Sequence, residues 1–261
     1  ARQIKVPADL KRVYSRIEAA VKAAHRTVER ARERVEVNFP KWSVSSQAAS
    51  GSAAWELLFK ASEMKPNLIV VGSHGRSALG RLVLGSISQK VLTEAACSVR
   101  VARGRVEEPG TPLRIVVGLD GSPSSFGAVE AVANRNWPTN TEVKLVIVND
   151  EWSIPIVEDL IPAVGEVIEE ENSAEKAWAE EIASNAENIF RDSSLKVTRL
   201  IRKGDPKREL PQVAEEWSAD CIFMGSTGFS NRFERFVLGS VSAAVAARAH
   251  CSVEVVRSFH V

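Results

Sequence analysis

VGSHGRSALGRLVLGSISQ at residues 71–89 has a counterpart, MGSTGFSNRFERFVLGSVSA, at 224–243. Each begins where an apolar run ends, passes through glycine and serine, and opens into a helical pattern. The surroundings repeat as well: PNLIVVG (66–72) lines up with ADCIFMG (219–225), VLGSIS (83–88) with VLGSVS (237–242), and CSVRVAR (97–103) with CSVEVVR (251–257). The period is the size of a domain, which excludes a solenoid and predicts one α/β unit built twice. RVEEPGTP (105–112), with its Pro, Gly and acidic pair, is the linker, so one domain is expected over 1–104 and a second over 113–261.

The second copy shows the alternation most completely. LRIVVGLD (113–120), EVKLVIVND (142–150), LKVTRLI (195–201), CIFMG (221–225) and SVEVV (252–256) are short runs of the kind buried on both faces. Helices are expected between them, one carrying Val164, Ile168, Trp178, Ile182 and Ile189 near helical spacing and one over ELPQVAEEWSA (209–219). Strands alternating with helices imply a parallel sheet with right-handed crossovers. The first copy opens on a helical stretch at 10–35 whose Leu10, Val13, Ile17, Val21, Ala24, Val28 and Val35 form a stripe. WSVSS (42–46) then stands in the place of the third strand, followed by a helix at SAAWELLFKASEM, the strand LIVVG and the strand SVRVA. Nothing ahead of residue 10 supplies the first two strands. The start on Ala1 rather than Met leads to the expectation that an N-terminal stretch is missing from the sequence in hand.

A loop leaving the carboxyl end of a parallel strand and opening a helix is where α/β folds hold ligands. Its glycines let the backbone turn and expose amides, and the first helical N–H groups lack internal partners. Gly72 and Gly75 follow LIVV, while Gly85 and Ser86 stand where SISQKVLTEAA begins; the complement of such a corner is a phosphate. Ser86 with Gln89 also fits a capping box. No G-x-x-x-x-G-K-[ST] or G-x-G-x-x-G is present, which argues against P-loop motors and dinucleotide dehydrogenases.

At these residues the sequence resembles the universal stress protein family, whose adenine-nucleotide-binding members carry G-x2-G-x9-G-[ST]. Gly72, Gly75, Gly85 and Ser86 match it. Gly225, Gly228, Gly239 and Ser240 match with ten intervening residues in place of nine, and with Phe229, Phe233 and Phe236 in the loop. The resemblance implies two tandem doubly wound domains, each a five-stranded parallel sheet of order 3-2-1-4-5 flanked by helices, the first lacking its N-terminal strands. It implies that Asp120, in GLDGS, contacts the nucleoside and that Val148 meets the adenine. Around the glycines it implicates Val71, Arg76, Ile87 and Ser88 in the first copy, and Met224, Val241 and Ser242 in the second. The ligand it implies is ATP, ADP or AMP. Magnesium would arrive with the phosphates, since no protein ligand set for it is visible. It also implies that SVRVA and SVEVV pair edge to edge, so that the two domains mimic a dimer internally or build a homodimer.

Other features point to bland roles. With 34 basic and 33 acidic residues the net charge is +1, so no global field favours nucleic acid or a membrane surface. The acidic stretch 166–187 reads as a solvated helix face. Cys97, Cys221 and Cys251 abut apolar runs and read as buried reduced thiols of a cytoplasmic protein. His74 lacks an acid partner, and no carboxylate pair or triad stands at workable spacing, so no efficient catalysis is expected. The function expected is a nucleotide-binding sensor or regulator of stress responses. A nucleotide-free interaction scaffold of the same fold is the alternative, and slow ATP hydrolysis has little in the sequence to support it.

Overall fold

A computed structural model describes residues 8–73, 84–104, 110–149, 162–228 and 238–257, with side chains from residue 15 in the first helix and from residue 173 in the helix that begins at 162. Gly75, Arg76, His74, the loop phenylalanines and most of the linker lie outside the described residues. The chain divides into two units, Ala1–Leu57 and Leu58–Val261.

The first unit is dominated by helix α1, Ala8–Asn38. Ion pairs one turn apart support it: Arg32 bonds Glu29 at 3.0 Å and Glu36 at 2.7 Å. Of its apolar stripe, the side chains of Leu10 and Val13 lie outside those described, Ile17 and Val21 are exposed, and Ala24, Val28 and Val35 are half-buried. The expected strand at 42–46 does not form. A strand exists through its ladder, and no neighbouring strand is available to WSVSS among the described residues. Instead Trp42 stacks on Phe39, 4.6 Å between ring centroids, and the Ser46 hydroxyl donates to Glu29. Helix α2, Ala53–Met64, crosses the division between the units.

The second unit is built on one sheet. In chain order its elements are β1 (Leu68–Gly72), α3 (Ser86–Glu94), β2 (Ser98–Ala102), β3 (Arg114–Leu119), α4 (Pro123–Ala133), β4 (Glu142–Asn149), α5 (Pro162–Ile189), β5 (Lys196–Lys203), α6 (Pro206–Glu216), β6 (Cys221–Gly225), α7 (Ser240–Arg248) and β7 (Ser252–Val256). The strands run in the order β1-β2-β7-β6-β3-β4-β5. All neighbours are parallel except β2 and β7, which pair antiparallel.

This corrects the expectation of two separate five-stranded parallel sheets. Among the described residues the first copy contributes two strands, too few to bury a sheet of their own. Joining β2 to β7 satisfies the backbone groups of both edges and leaves one continuous mixed sheet of seven strands.

The core follows from continuous apolar strands. From Ile115 to Leu119 every residue of β3 is buried, so both faces of the sheet must be covered. On one face Ile115, Val117, Leu145, Ile147 and Phe223 pack with Ala128, Val129 and Val132 of α4 and Ala179, Ile182, Ala183 and Ala186 of α5. On this helix Ile182 is buried, whereas Trp178 and Ile189 stay substantially exposed. Val116, Val146, Ile222, Val253 and Val255, which alternate with the first set along their strands, are buried together with Leu210 and Val213 of α6 and Val245 and Ala246 of α7. Cys97, Cys221 and Cys251 are free and buried, and burial pushes the thiols of Cys221 and Cys251 up to about 12. No described helix is long and apolar enough to cross a membrane.

Candidate functional site

The parallel strands β3, β4 and β6 end at one rim, and their carboxyl ends open into a cavity of about 330 Å³. Its apolar wall comes from Val146 and Val148 of β4, Met224 of β6, Pro206 and Leu210 of α6, and Leu238. Its polar side comes from Asp120, Ser125, Thr227, Ser240 and Ser242, with Gly225, Gly228, Gly239 and Val241 between them. Asp120, Val148, Met224, Gly225, Gly228, Gly239, Ser240, Val241 and Ser242, which the resemblance implicates, all line this cavity.

Asp120 is set by a tight turn. Gly121 follows it at φ +76°, a conformation that favours glycine, and Ser122 caps α4 by accepting from the Ser125 N–H at 3.2 Å. One Asp120 oxygen, Oδ1, accepts from the Ser122 N–H (3.0 Å) and hydroxyl (2.6 Å). The other, Oδ2, faces Gly228, where a Cβ would stand 2.9 Å away. The carboxylate is thus held at Oδ1, while Oδ2 has no hydrogen-bond partner among the described residues, and the residue itself is exposed.

The glycine at the end of β6 is required by contact. A Cβ on Gly225 would lie 2.6 Å from the backbone and hydroxyl of Ser124. That closeness lets the Ser124 hydroxyl accept from the N–H groups of Ser226 (2.9 Å) and Thr227 (3.4 Å), pinning the start of the loop to α4. Beyond the loop the Gly239 N–H donates to the Ser226 carbonyl at 2.7 Å, and the Ser242 hydroxyl donates to the Gly225 carbonyl at 2.8 Å. Helix α7 therefore starts against the strand end. Its capping residue, Gly239, offers no side-chain cap, and Ser240, Val241 and Ser242 of its first turn line the cavity, where first-turn amides without internal partners complement an anion.

The first copy repeats two bonds of the corner. Gly85 N–H donates to Ser73 O (2.8 Å), and the Ser88 hydroxyl donates to Gly72 O (2.5 Å). The residues before α3 and α7, Gly85 and Gly239, have nearly the same backbone, φ −62° and −61°, ψ 147° and 150°. The capping box expected of Ser86 and Gln89 is not formed. Gly85 is the capping residue, without a side-chain cap, and the Gln89 N–H bonds its carbonyl. Gly72, Ser86 and Ile87 are exposed, Val71 and Gly85 half-buried, and Ser88 buried. Among the described residues no strands continue the sheet past β1 as β3 and then β4 continue it past β6.

Several lining residues escaped the sequence. Gly118 is one: a Cβ there would press on Leu210 at 3.1 Å, so the glycine leaves room for the cavity floor. An isolated glycine within IVVGL was the available signal. Leu210, Pro206 and Leu238 had no signal, because only the packing of α6 over β4 and the return from the loop bring them there.

A family model described as "Universal stress protein family" matches residues 4–103 and 113–257. The chain belongs to the universal stress protein family. It is 32% identical over 191 residues to a universal stress protein of Mycolicibacterium smegmatis, covering 73% of this chain and 61% of that one. It is also 32% identical over 193 residues to one from Mycobacterium tuberculosis strain H37Rv, with the same shares covered. The chain thus spans about three-fifths of the length of these curated relatives. Among solved structures, a universal stress protein from Archaeoglobus fulgidus superposes with a TM-score of 0.61 over 94% of this chain and 79% of its own, at 22% identity. That likeness is one of fold.

Proposed function

We propose that the cavity at the carboxyl ends of β3, β4 and β6 binds an adenine nucleotide, ATP, ADP or AMP, and that the protein works as a sensor or regulator in a stress response. The observation that carries this reading is the convergence of two chemistries on one cavity. The uncapped start of α7 offers amides to phosphates, and Asp120 offers an open carboxylate oxygen to a sugar hydroxyl. Between them Val146, Val148, Leu210 and Met224 supply an apolar wall for a base. The cavity volume is within the range of small-molecule sites. Family membership supports the same reading. No group of three or more His, Cys, Asp or Glu that could hold a metal occurs among the described residues. Magnesium, where it accompanies ATP, would ride on the phosphates.

The site is assigned to the second copy because it has the strand-borne Asp120 and Val148 beside the corner. The first-copy residues Val71, Gly72, Gly75, Arg76, Gly85, Ser86, Ile87 and Ser88 are the second place to look. Titration calorimetry with ATP, ADP and AMP tests both. Heat from the parent protein, lost in Asp120→Ala and kept in Gly85→Val, supports the assignment; the reverse pattern moves the site to the first copy. One observation favours the alternative of a nucleotide-free scaffold: Ser124 already occupies the Ser226 and Thr227 amides that a phosphate would otherwise use. Absence of heat with all three nucleotides decides for the scaffold.

A further inference from the structure

The seam between β2 and β7 joins strands that occupy the same place in the two copies. Position 100 corresponds to position 254, as CSVRVAR corresponds to CSVEVVR. The register is Val99↔Val255, Arg100↔Glu254 and Val101↔Val253. The local two-fold axis therefore passes through Arg100 and Glu254, where one position of the repeat meets its own equivalent. The strand register and the serine contacts around the axis are nearly symmetric. Valines face valines, the Arg257 N–H donates to the Ser98 hydroxyl at 3.1 Å, and the Arg103 N–H donates to the Ser252 hydroxyl at 3.1 Å. Such contacts would serve a β2–β2 or a β7–β7 seam equally well.

The axis pair is the exception. Glu254 is fully buried, and its Oε2 accepts from Arg100 Nε at 2.8 Å and from Nη1 of Arg135, just beyond α4, at 2.9 Å. Both guanidiniums also stand 5.3 Å from the ring centroid of Phe223, the residue in register with Glu254 on β6. In a β2–β2 seam of the same register Arg100 would face Arg100, with no carboxylate on the axis. In a β7–β7 seam two buried carboxylates would face each other, each left with its own Arg135. Like charges directly opposite destabilise a strand pair, and burial magnifies the cost.

We propose that Arg100 and Glu254 are the specificity determinants of this seam: each terminal strand accepts the other copy's terminal strand and rejects a second copy of itself. The partner that the edge of β2 fits is thus β7, in the same chain or, by reciprocal exchange, in a second molecule.

The test is a double-mutant cycle on the full chain, with Arg135→Gln as background so that the third charge does not enter. Arg100→Glu and Glu254→Arg each lower the melting temperature by about 5–15 °C. The double reversal, which restores opposite charges on the axis, recovers at least a third of the summed loss. Losses that simply add would overturn the proposal. Should a single variant fail to fold alone, equimolar co-refolding of the two gives the reading. The carboxylate introduced at position 100 of one chain then meets the guanidinium introduced at position 254 of the other, and native mass spectrometry shows a mixed dimer. Recovery of no mixed species would overturn the proposal.

Discussion

A methyl group on Gly225 would collide with the backbone of Ser124, which cannot yield without moving the start of α4. Gly225→Ala is therefore expected to cost about 1–3 kcal/mol in denaturant unfolding. Gly228 differs, because its neighbour is the open Asp120 oxygen. Gly228→Ala should leave the melting temperature within a few degrees of the parent and weaken nucleotide affinity at least tenfold by calorimetry. The two arginines that end the terminal strands form a second contrast. Arg257 is buried, and its guanidinium bonds the carbonyls of Leu92 (2.6 Å), Cys97 (3.4 Å) and Thr93 (3.5 Å), closing the end of α3. Its repeat equivalent Arg103 has three buried guanidinium nitrogens with no hydrogen-bond partner among the described residues, and burial lowers its pKa. Thermal melts should show Arg257→Met losing about 2–3 kcal/mol and Arg103→Met gaining about 1–2 kcal/mol, since an apolar chain escapes the cost of an unpaired buried charge.

At the scale of elements, the corner of each copy is a strand end, a glycine turn and a helix start fastened by one serine. Ser88→Ala and Ser242→Ala each remove the hydroxyl that donates to the strand-end carbonyl of Gly72 or Gly225. Each should lose about 1 kcal/mol of stability. Only Ser242→Ala should also weaken nucleotide binding, because α7 then loses its fixed place at the cavity. The core strands bury their thiols the same way. With Cys221 and Cys251 pushed up to about 12 by burial, the folded chain keeps them protonated while the unfolded chain ionises them near pH 9. Folded protein thus holds more protons in that interval, and stability should fall as pH rises above 9. Thiol titration at pH 8 should find both slow in native protein and fast in denaturant.

For the whole molecule, a ligand that binds only the folded state raises stability by mass action. ATP at a hundred times its dissociation constant should add about 2.7 kcal/mol. For a chain of this size that is a rise in melting temperature of about 5–10 °C. Asp120→Ala should abolish the rise without lowering the unliganded midpoint by more than a few degrees. The continuous sheet makes a further demand: β1 and β2 hang from the second copy through the β2–β7 seam. Hydrogen exchange should therefore show β2 protected as well as β7, and both weakened together when Glu254 is replaced.

Much of this is legible in the sequence because it is local. Apolar runs such as IVVGL and KLVIV announce strands buried on two faces, and the repeated corner announces two equivalent strand-to-helix turns. Asp120 and the glycines at 225, 228 and 239 needed only the family resemblance to be gathered around one cavity. The strand expected at WSVSS failed because a strand is made by its neighbours, and the ladder it needed is missing among the described residues. The capping box at Ser86 failed because the helix starts one residue past Gly85, a choice made by the Ser73 and Gly72 carbonyls and not by Ser86 itself. Two sheets became one for the same kind of reason. Sequence dictates which segments extend and which coil, since those preferences act between near neighbours; tertiary structure alone decides which edges meet, because backbone groups at an open edge take whatever partner distance and charge permit.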